Sequence, residues 1–210
     1  MTIKALVKEV EGLKKSEVRV LVEKRIKEFK KMRRKSNKEI FKELCFCILT
    51  ANFTAERSIK IQRKIDEGFL TLSNSKLSRK LRKLGHRFPE VRARYIAEAR
   101  SYASLLRNII ESFDDESKLR EWLVKNVKGI GFKEASHFLR NIGYTNFAII
   151  DFHILDILTE HKIIKKPKIL SKKRYLEIEN LLRRIAKKLN LSLAELDLYL
   201  WYMKTGKVLK

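Results

Sequence analysis

The run from Leu123 to Ala135 holds the residue types best suited to chemistry: Lys125, Lys128-Gly129-Ile130-Gly131, then Phe132-Lys133-Glu134-Ala135. It reads as helix, Gly-x-Gly, helix, with no strand in front. The strand-fed dinucleotide loop therefore lacks its structural context. Gly129 and Gly131 allow a sharp reversal and a close backbone approach. Their N–H groups, together with the positive end of the following helix, form a place for a phosphate, and Lys125 and Lys128 add charge beside it. The competing reading is a plain helix–turn–helix corner whose glycines serve packing alone.

That hairpin needs helices on both sides, and the apolar spacing supplies them along the whole chain. The first amphipathic stretch begins at Ser16, with Val18, Leu21, Val22, Ile26 and Phe29 on one side. Ser36 through Glu39 is an N-cap signal for a helix reaching about Ala51. Thr54 or Ala55 opens another helix, to Ile65. Phe88-Pro89 breaks the chain, and Pro89 suits the first turn of a long helix carrying Tyr95, Ile96, Ala99, Leu105, Ile109 and Ile110. A helix over 119–127 leads into the hairpin, and one over 133–141 leaves it, closed by Gly143. Phe147-Ala148-Ile149-Ile150 is a short buried run. Asp151 caps a helix through Leu158, 162–173 is a basic connector containing Pro167, and helices over 174–189 and 192–204 end the chain.

Composition narrows the partner. The 210 residues carry 49 Lys+Arg against 25 Asp+Glu, a net charge of +24, with 7 Gly and 2 Pro. So few turn formers argue for an all-α fold. A surface so positive calls for a polyanion, with nucleic acid ahead of an anionic membrane. No run of 18 apolar residues is present to span a bilayer, and no clean basic amphipathic helix to lie on one. The start lacks a signal-peptide core. Cys45 and Cys47 are two apart on a helix and face different ways, so they read as buried apolar residues in a reducing cytosol. Two thiols cannot hold an iron–sulfur cluster. His86, His137 and His161 show no metal-ligand spacing and read as structural. No metal and no cofactor are expected.

Two strings carry a resemblance. Lys128-Gly129-Ile130-Gly131-Phe132-Lys133-Glu134-Ala135, followed by Ala148-Ile149-Ile150-Asp151-Phe152-His153-Ile154, resembles the helix-hairpin-helix base-excision DNA glycosylase superfamily. Lys133 stands two residues after the second glycine, where the bifunctional members carry a lysine. Asp151 stands 18 positions further on, in the place of the family's aspartate. The hairpin departs from the family in having Lys128 where a proline usually precedes the first glycine. Within that superfamily the likeness is to the compact archaeal-type 8-oxoguanine DNA glycosylase/AP lyases. Lys133 through Tyr144, and Leu196-Asp197-Leu198-Tyr199-Leu200-Trp201-Tyr202 on to the terminal Lys210, carry it. It covers nearly the whole chain, most strongly over 127–156 and the last fifteen residues.

The resemblance implies one all-α fold over residues 1–210. Two helical lobes flank a cleft, and residues 118–156 form the hairpin and catalytic-aspartate segment. It implies base-excision DNA repair on double-stranded DNA containing 8-oxoguanine or abasic sites, by a cytoplasmic, nucleoid-associated monomer. The nucleotide is flipped out of the duplex. Lys133 attacks the sugar and forms a Schiff base. Free lysine titrates near 10.4, and desolvation, the helix N-terminus and neighbouring lysines all favour the neutral amine. Asp151 steadies the cationic sugar as well as capping its helix. The α-carboxylate of Lys210 accepts from N7–H of 8-oxoguanine, a donor that guanine lacks. Trp201 and Phe88 are the stacking surfaces for the flipped base. Gly129, Gly131, Lys128 and His153 contact phosphate, Asn52 meets the opposite base, and Arg92 lies in the segment from which a wedge enters the gap. The alternatives are a glycosylase of the same superfamily for another oxidised base and a non-catalytic hairpin module. A pure binder has no need of Lys133 and Asp151 at this spacing.

Overall fold

The computed structural model describes Thr2–Lys210. Among these residues there are thirteen α-helices and no strand. They are α1 (Ile3–Lys14), α2 (Val18–Met32), α3 (Asn37–Thr50), α4 (Ala55–Ile65), α5 (Gly68–Thr71), α6 (Asn74–Lys83), α7 (Pro89–Ala99), α8 (Leu106–Glu111), α9 (Glu116–Asn126), α10 (Phe132–Asn141), α11 (Phe152–Glu160), α12 (Lys172–Lys188) and α13 (Leu193–Thr205). The all-α expectation holds. No described helix is long and apolar enough to cross a membrane.

The helices sort into two compact units, and the chain leaves one and returns to it. The terminal unit is Met1–Lys30 with Gly143–Lys210, and the central unit is Lys31–Ile142. In the central unit α3 is the buried axis. From Ile40 to Ala51 every residue is buried, including Phe41, Leu44, Phe46 and Ile48. Such an all-round apolar run needs neighbours on every side, and α4, α7, α8 and α10 pack on it. Two polar groups in α3 are satisfied internally. Lys42 is 7% exposed and is ringed by Glu39, Asp66 and Glu67 at 2.5–2.8 Å. Burial pulls its ammonium down, but the hydrogen bonds it donates to the three carboxylates outweigh that and hold it above the ordinary lysine value. Glu43 accepts from Asn141 at 2.7 Å, which ties α3 to the end of α10.

In the terminal unit α11 packs on α13, and α1 and α12 lie against α13 as well. Ser192 and Glu195 form a reciprocal capping box that starts α13. Glu179 and Tyr175 of α12 take the backbone of the buried run before Asp151. Ala148 N–H donates to Glu179 at 3.2 Å, Ile150 N–H donates to the Tyr175 hydroxyl at 3.3 Å, and that hydroxyl donates to Ala148 O at 2.7 Å. The extended segment is thus satisfied without a sheet.

Three elements differ from the sequence expectation. Helix α1 precedes Ser16, with Leu6 and Val10 fully buried. Helices α5 and α6 fill the span after Ile65, where only Phe69, Leu77 and Leu81 are buried between many lysines and arginines. The long helix expected from Pro89 to Ile110 is broken into α7, a 3-10 turn (Arg100–Tyr102) and α8. Asn37 explains the break, because its side chain donates to Ser104 O at 2.6 Å and accepts from Arg107 N–H at 2.8 Å. A distant asparagine therefore caps α8 and satisfies the preceding turn.

Candidate active site

The hairpin is built as its residue types require. Helix α9 ends at Asn126, Ile130 turns inward (5% exposed) with its N–H on Val127 O, and α10 starts at Phe132. Gly129 has φ +82°, and a Cβ there would lie 2.5 Å from the Tyr95 ring and 3.3 Å from Arg92 Nη1. Both the turn and the packing on α7 demand glycine. Gly131 is different. Its φ of −97° is open to any residue, and its N–H already donates to Glu134 Oε2 at 3.2 Å. Of the two glycines, only the first carries the conformational requirement. Lys128 is exposed and pairs with Glu98 at 3.0 Å.

Lys133 occupies the second position of α10, its side chain 26% exposed. Its Nζ lies 2.9 Å from Glu134 Oε1, while the other oxygen of the same carboxylate closes the hairpin through Gly131. Glu134 is a site residue that sequence reasoning passed over. The signal was present, since an acidic residue at N3 reaches back to the helix start.

Asp151 caps α11 as expected, accepting from Ile154 N–H at 3.0 Å. Lys133 belongs to the central unit and Asp151 to the terminal unit. On the first turn of α11, Phe152 is 62% exposed with its ring centroid 3.9 Å from that of His153. His153 in turn meets Trp201 edge-on at 4.9 Å and 86°. Trp201 is half-buried, and its indole Nε1 is buried with no hydrogen-bond partner. The aromatic ladder Phe152–His153–Trp201 was not expected from the sequence. Phe152 and His153 are neighbours in the chain, but about fifty residues separate His153 from Trp201, so only folding brings the indole to them.

In the central unit, His86 links the candidate Phe88 to the end of α3. His86 Nε2 donates to Leu49 O at 3.0 Å, and its Nδ1 accepts from Phe88 N–H at 3.0 Å. Phe53 lies against the same ring at 4.3 Å. Burial pushes the imidazole below its ordinary 6.5, and the charges of Arg92 and Arg57 act in the same direction. Phe88 is half-buried beneath the guanidiniums of Arg87 and Arg92, at 5.0 and 5.8 Å. Asn52 is exposed at the tip of the α3–α4 turn with φ +57°. Arg92, expected in a DNA-facing segment, is 7% exposed and donates to Ala51 O at 2.6 Å. Here it fixes the turn that presents Asn52, and Arg94 is the exposed arginine of that segment.

The remaining histidines are internal. His137 meets Phe46 edge-on, and His161 bridges Ile157 O and Glu9. Cys45 and Cys47 are buried free thiols, and burial pushes Cys45 well above the ordinary cysteine value. Among the described residues no group of three or more His, Cys, Asp or Glu is placed to hold a metal ion. The C-terminal tail is not extended into solvent. Gly206 turns it at φ +66°, Thr205 Oγ1 accepts from Lys207 N–H at 3.3 Å, and Val208, Leu209 and Lys210 are partly buried.

Comparison with known proteins places this arrangement. A family model described as 8-oxoguanine DNA glycosylase matches residues 22–191. The 8-oxoguanine DNA glycosylase/AP lyase of Methanocaldococcus jannaschii is 58% identical over 206 residues, 98% of this chain and 99% of that protein. That of Korarchaeum cryptofilum is 55% identical over 211 residues, with both chains covered completely. The crystal structure of the M. jannaschii glycosylase/lyase with a 15mer DNA containing 8-oxoguanine matches with a TM-score of 0.96 and 57% identity, covering 98% of this chain and 100% of that one.

Proposed function

The chain belongs to the 8-oxoguanine DNA glycosylase family, and from that membership we propose that it excises 8-oxoguanine from duplex DNA and then cuts the strand at the resulting abasic site. The observation that carries this reading is likeness over essentially the full length of both chains to glycosylase/AP lyases, one of them solved with DNA containing 8-oxoguanine. The high positive charge suits DNA and association with the nucleoid.

The residues divide the work as follows. Lys133, as a free amine, attacks C1′ of the flipped nucleotide, and the bond from C1′ to the base breaks with the electron pair leaving on the base, which takes up a proton. The sugar ring opens to a protonated Schiff base on Lys133. Loss of a proton from C2′ then expels the 3′ phosphate by β-elimination. Asp151 supplies the negative charge that offsets the developing sugar cation. The first turn of α11, with His153, and the hairpin turn at Gly129, with Lys128, are the phosphate contacts. Trp201 and Phe88 are the stacking surfaces for the extruded base, and the Lys210 carboxylate accepts its N7–H. Asn52, set by Arg92, faces the widowed base.

Incubation with duplexes bearing 8-oxoguanine, thymine glycol, uracil or an abasic site, with and without borohydride, tests the assignment. The 8-oxoguanine duplex is expected to yield a covalent adduct that Lys133→Gln abolishes. Asp151→Asn keeps an acceptor for Ile154 N–H and so keeps the cap. It is expected to slow excision by at least about 10²-fold while leaving duplex affinity nearly unchanged. Trapping by Lys133→Gln, or equal losses of excision and binding in Asp151→Asn, refutes the roles given.

A further inference from the structure

The tail that ends in Lys210 is held from the opposite end of the sequence. Arg25 of α2 directs Nη2 at Val208 O at 3.5 Å, two residues before the terminus. Its Nη1 pairs with Glu28 at 2.5 Å, which fixes the plane of the guanidinium, and its Nε is buried without a partner. One turn further along α2, Gly143 comes so close to the helix backbone that a Cβ would sit 3.1 Å from Phe29 O and 3.2 Å from Lys30 Cα. The stretch of α2 that carries Arg25 is thus a packed reference surface, and the last residues of the chain are tied to it. A second tie acts from the other side, where Thr205 Oγ1 accepts from Lys207 N–H and the chain turns at Gly206.

We infer that Arg25 is a positioning residue for lesion discrimination: it sets where the C-terminal carboxylate stands and thereby how well 8-oxoguanine is told from guanine. This rests on the reading of Lys210 given above. A free C-terminus would have to be ordered in every binding event, and each rotatable residue so fixed lowers affinity. A tail already tied at Val208 and Lys207 meets the base in place. Hydrogen-bond recognition of one atom also fails with small displacements, so the tether matters more for selectivity than for binding.

The consequence separates the two reactions. Excision of 8-oxoguanine requires the base to be read, whereas cleavage at an abasic site has no base to read. Single-turnover excision from 8-oxoguanine and guanine duplexes, beside strand cleavage at an abasic site, tests this in Arg25→Met, Arg25→Lys, Thr205→Val and a chain lacking Lys210. Arg25→Met is expected to lower the 8-oxoguanine-to-guanine ratio about tenfold, as the loss of one ordinary hydrogen bond would, with abasic-site cleavage unchanged and partial rescue in Arg25→Lys. Thr205→Val, which loosens the tail from its other side, is expected to act in the same direction. A parallel fall of abasic-site cleavage in Arg25→Met overturns the inference in favour of a role in folding alone. An unchanged ratio in Arg25→Met and Thr205→Val, with a collapsed ratio on deleting Lys210, overturns the tether but keeps the tail reading. An unchanged ratio on deleting Lys210 removes both.

Discussion

Glu134 sets the terms on which Lys133 can act. One of its oxygens closes the hairpin at Gly131 and the other holds the lysine ammonium at 2.9 Å. The amine must leave this partner before it can attack carbon. Glu134→Gln keeps an oxygen for Gly131 N–H and withdraws the charge. An ion pair at a partly exposed site is worth about 0.2–1 kcal/mol, so borohydride trapping at neutral pH is expected to rise roughly two- to fivefold with little change in melting temperature. A fall in trapping would make Glu134 a partner in the reaction instead. At this scale Lys133 and Asp151 were legible because their places follow from a hairpin and a cap. Glu134 carried a local signal of its own, its place at N3 of α10, whereas Phe152 and Arg25 matter through what they touch.

At the scale of elements, short loops and the first turns of helices carry most of the candidate groups, and buried side chains hold the loops still. His86 joins the end of α3 to the residue before α7 through two hydrogen bonds that require the neutral, Nε2-protonated ring. Its folded-state value lies below 6.5. As pH falls below about 6.5 the unfolded chain therefore takes up a proton that the folded ring resists, and stability is lost until the folded ring protonates too. The melting temperature is expected to fall more between pH 7.5 and 5 in the parent than in His86→Gln, whose amide can still donate to Leu49 O. Parallel curves would show that the ring titrates freely. The break between α7 and α8 belongs to the same scale. Apolar spacing continues through it, and Asn37, more than sixty residues earlier, decides that the helix stops.

Over the whole molecule, charge governs encounter and fold governs selection. With a net charge of +24, binding to undamaged duplex is expected to be strongly salt-dependent. Contact with six to ten phosphates weakens binding about 10³–10⁵-fold between 50 and 200 mM salt. Titration of a fluorescent duplex at graded NaCl measures the slope, and a shallow one would assign the basic surface to solubility. The two units share the candidate residues. Lys133, Phe88, Asn52, Arg92 and the hairpin glycines lie in the central unit, while Asp151, His153, Trp201 and Lys210 lie in the terminal unit.

The amino-acid sequence by itself determined the helical class, most helix starts and the polyanionic partner. Caps, prolines and apolar periodicity act over a few residues, and net charge needs no geometry at all. It also marked Lys133 and Asp151, whose positions are defined by local motifs. Tertiary structure decided that Arg92 turns inward to Ala51, that His153 meets Trp201, and that Arg25 ties down the tail. Each of these pairs side chains whose distance in space bears no relation to their separation along the chain.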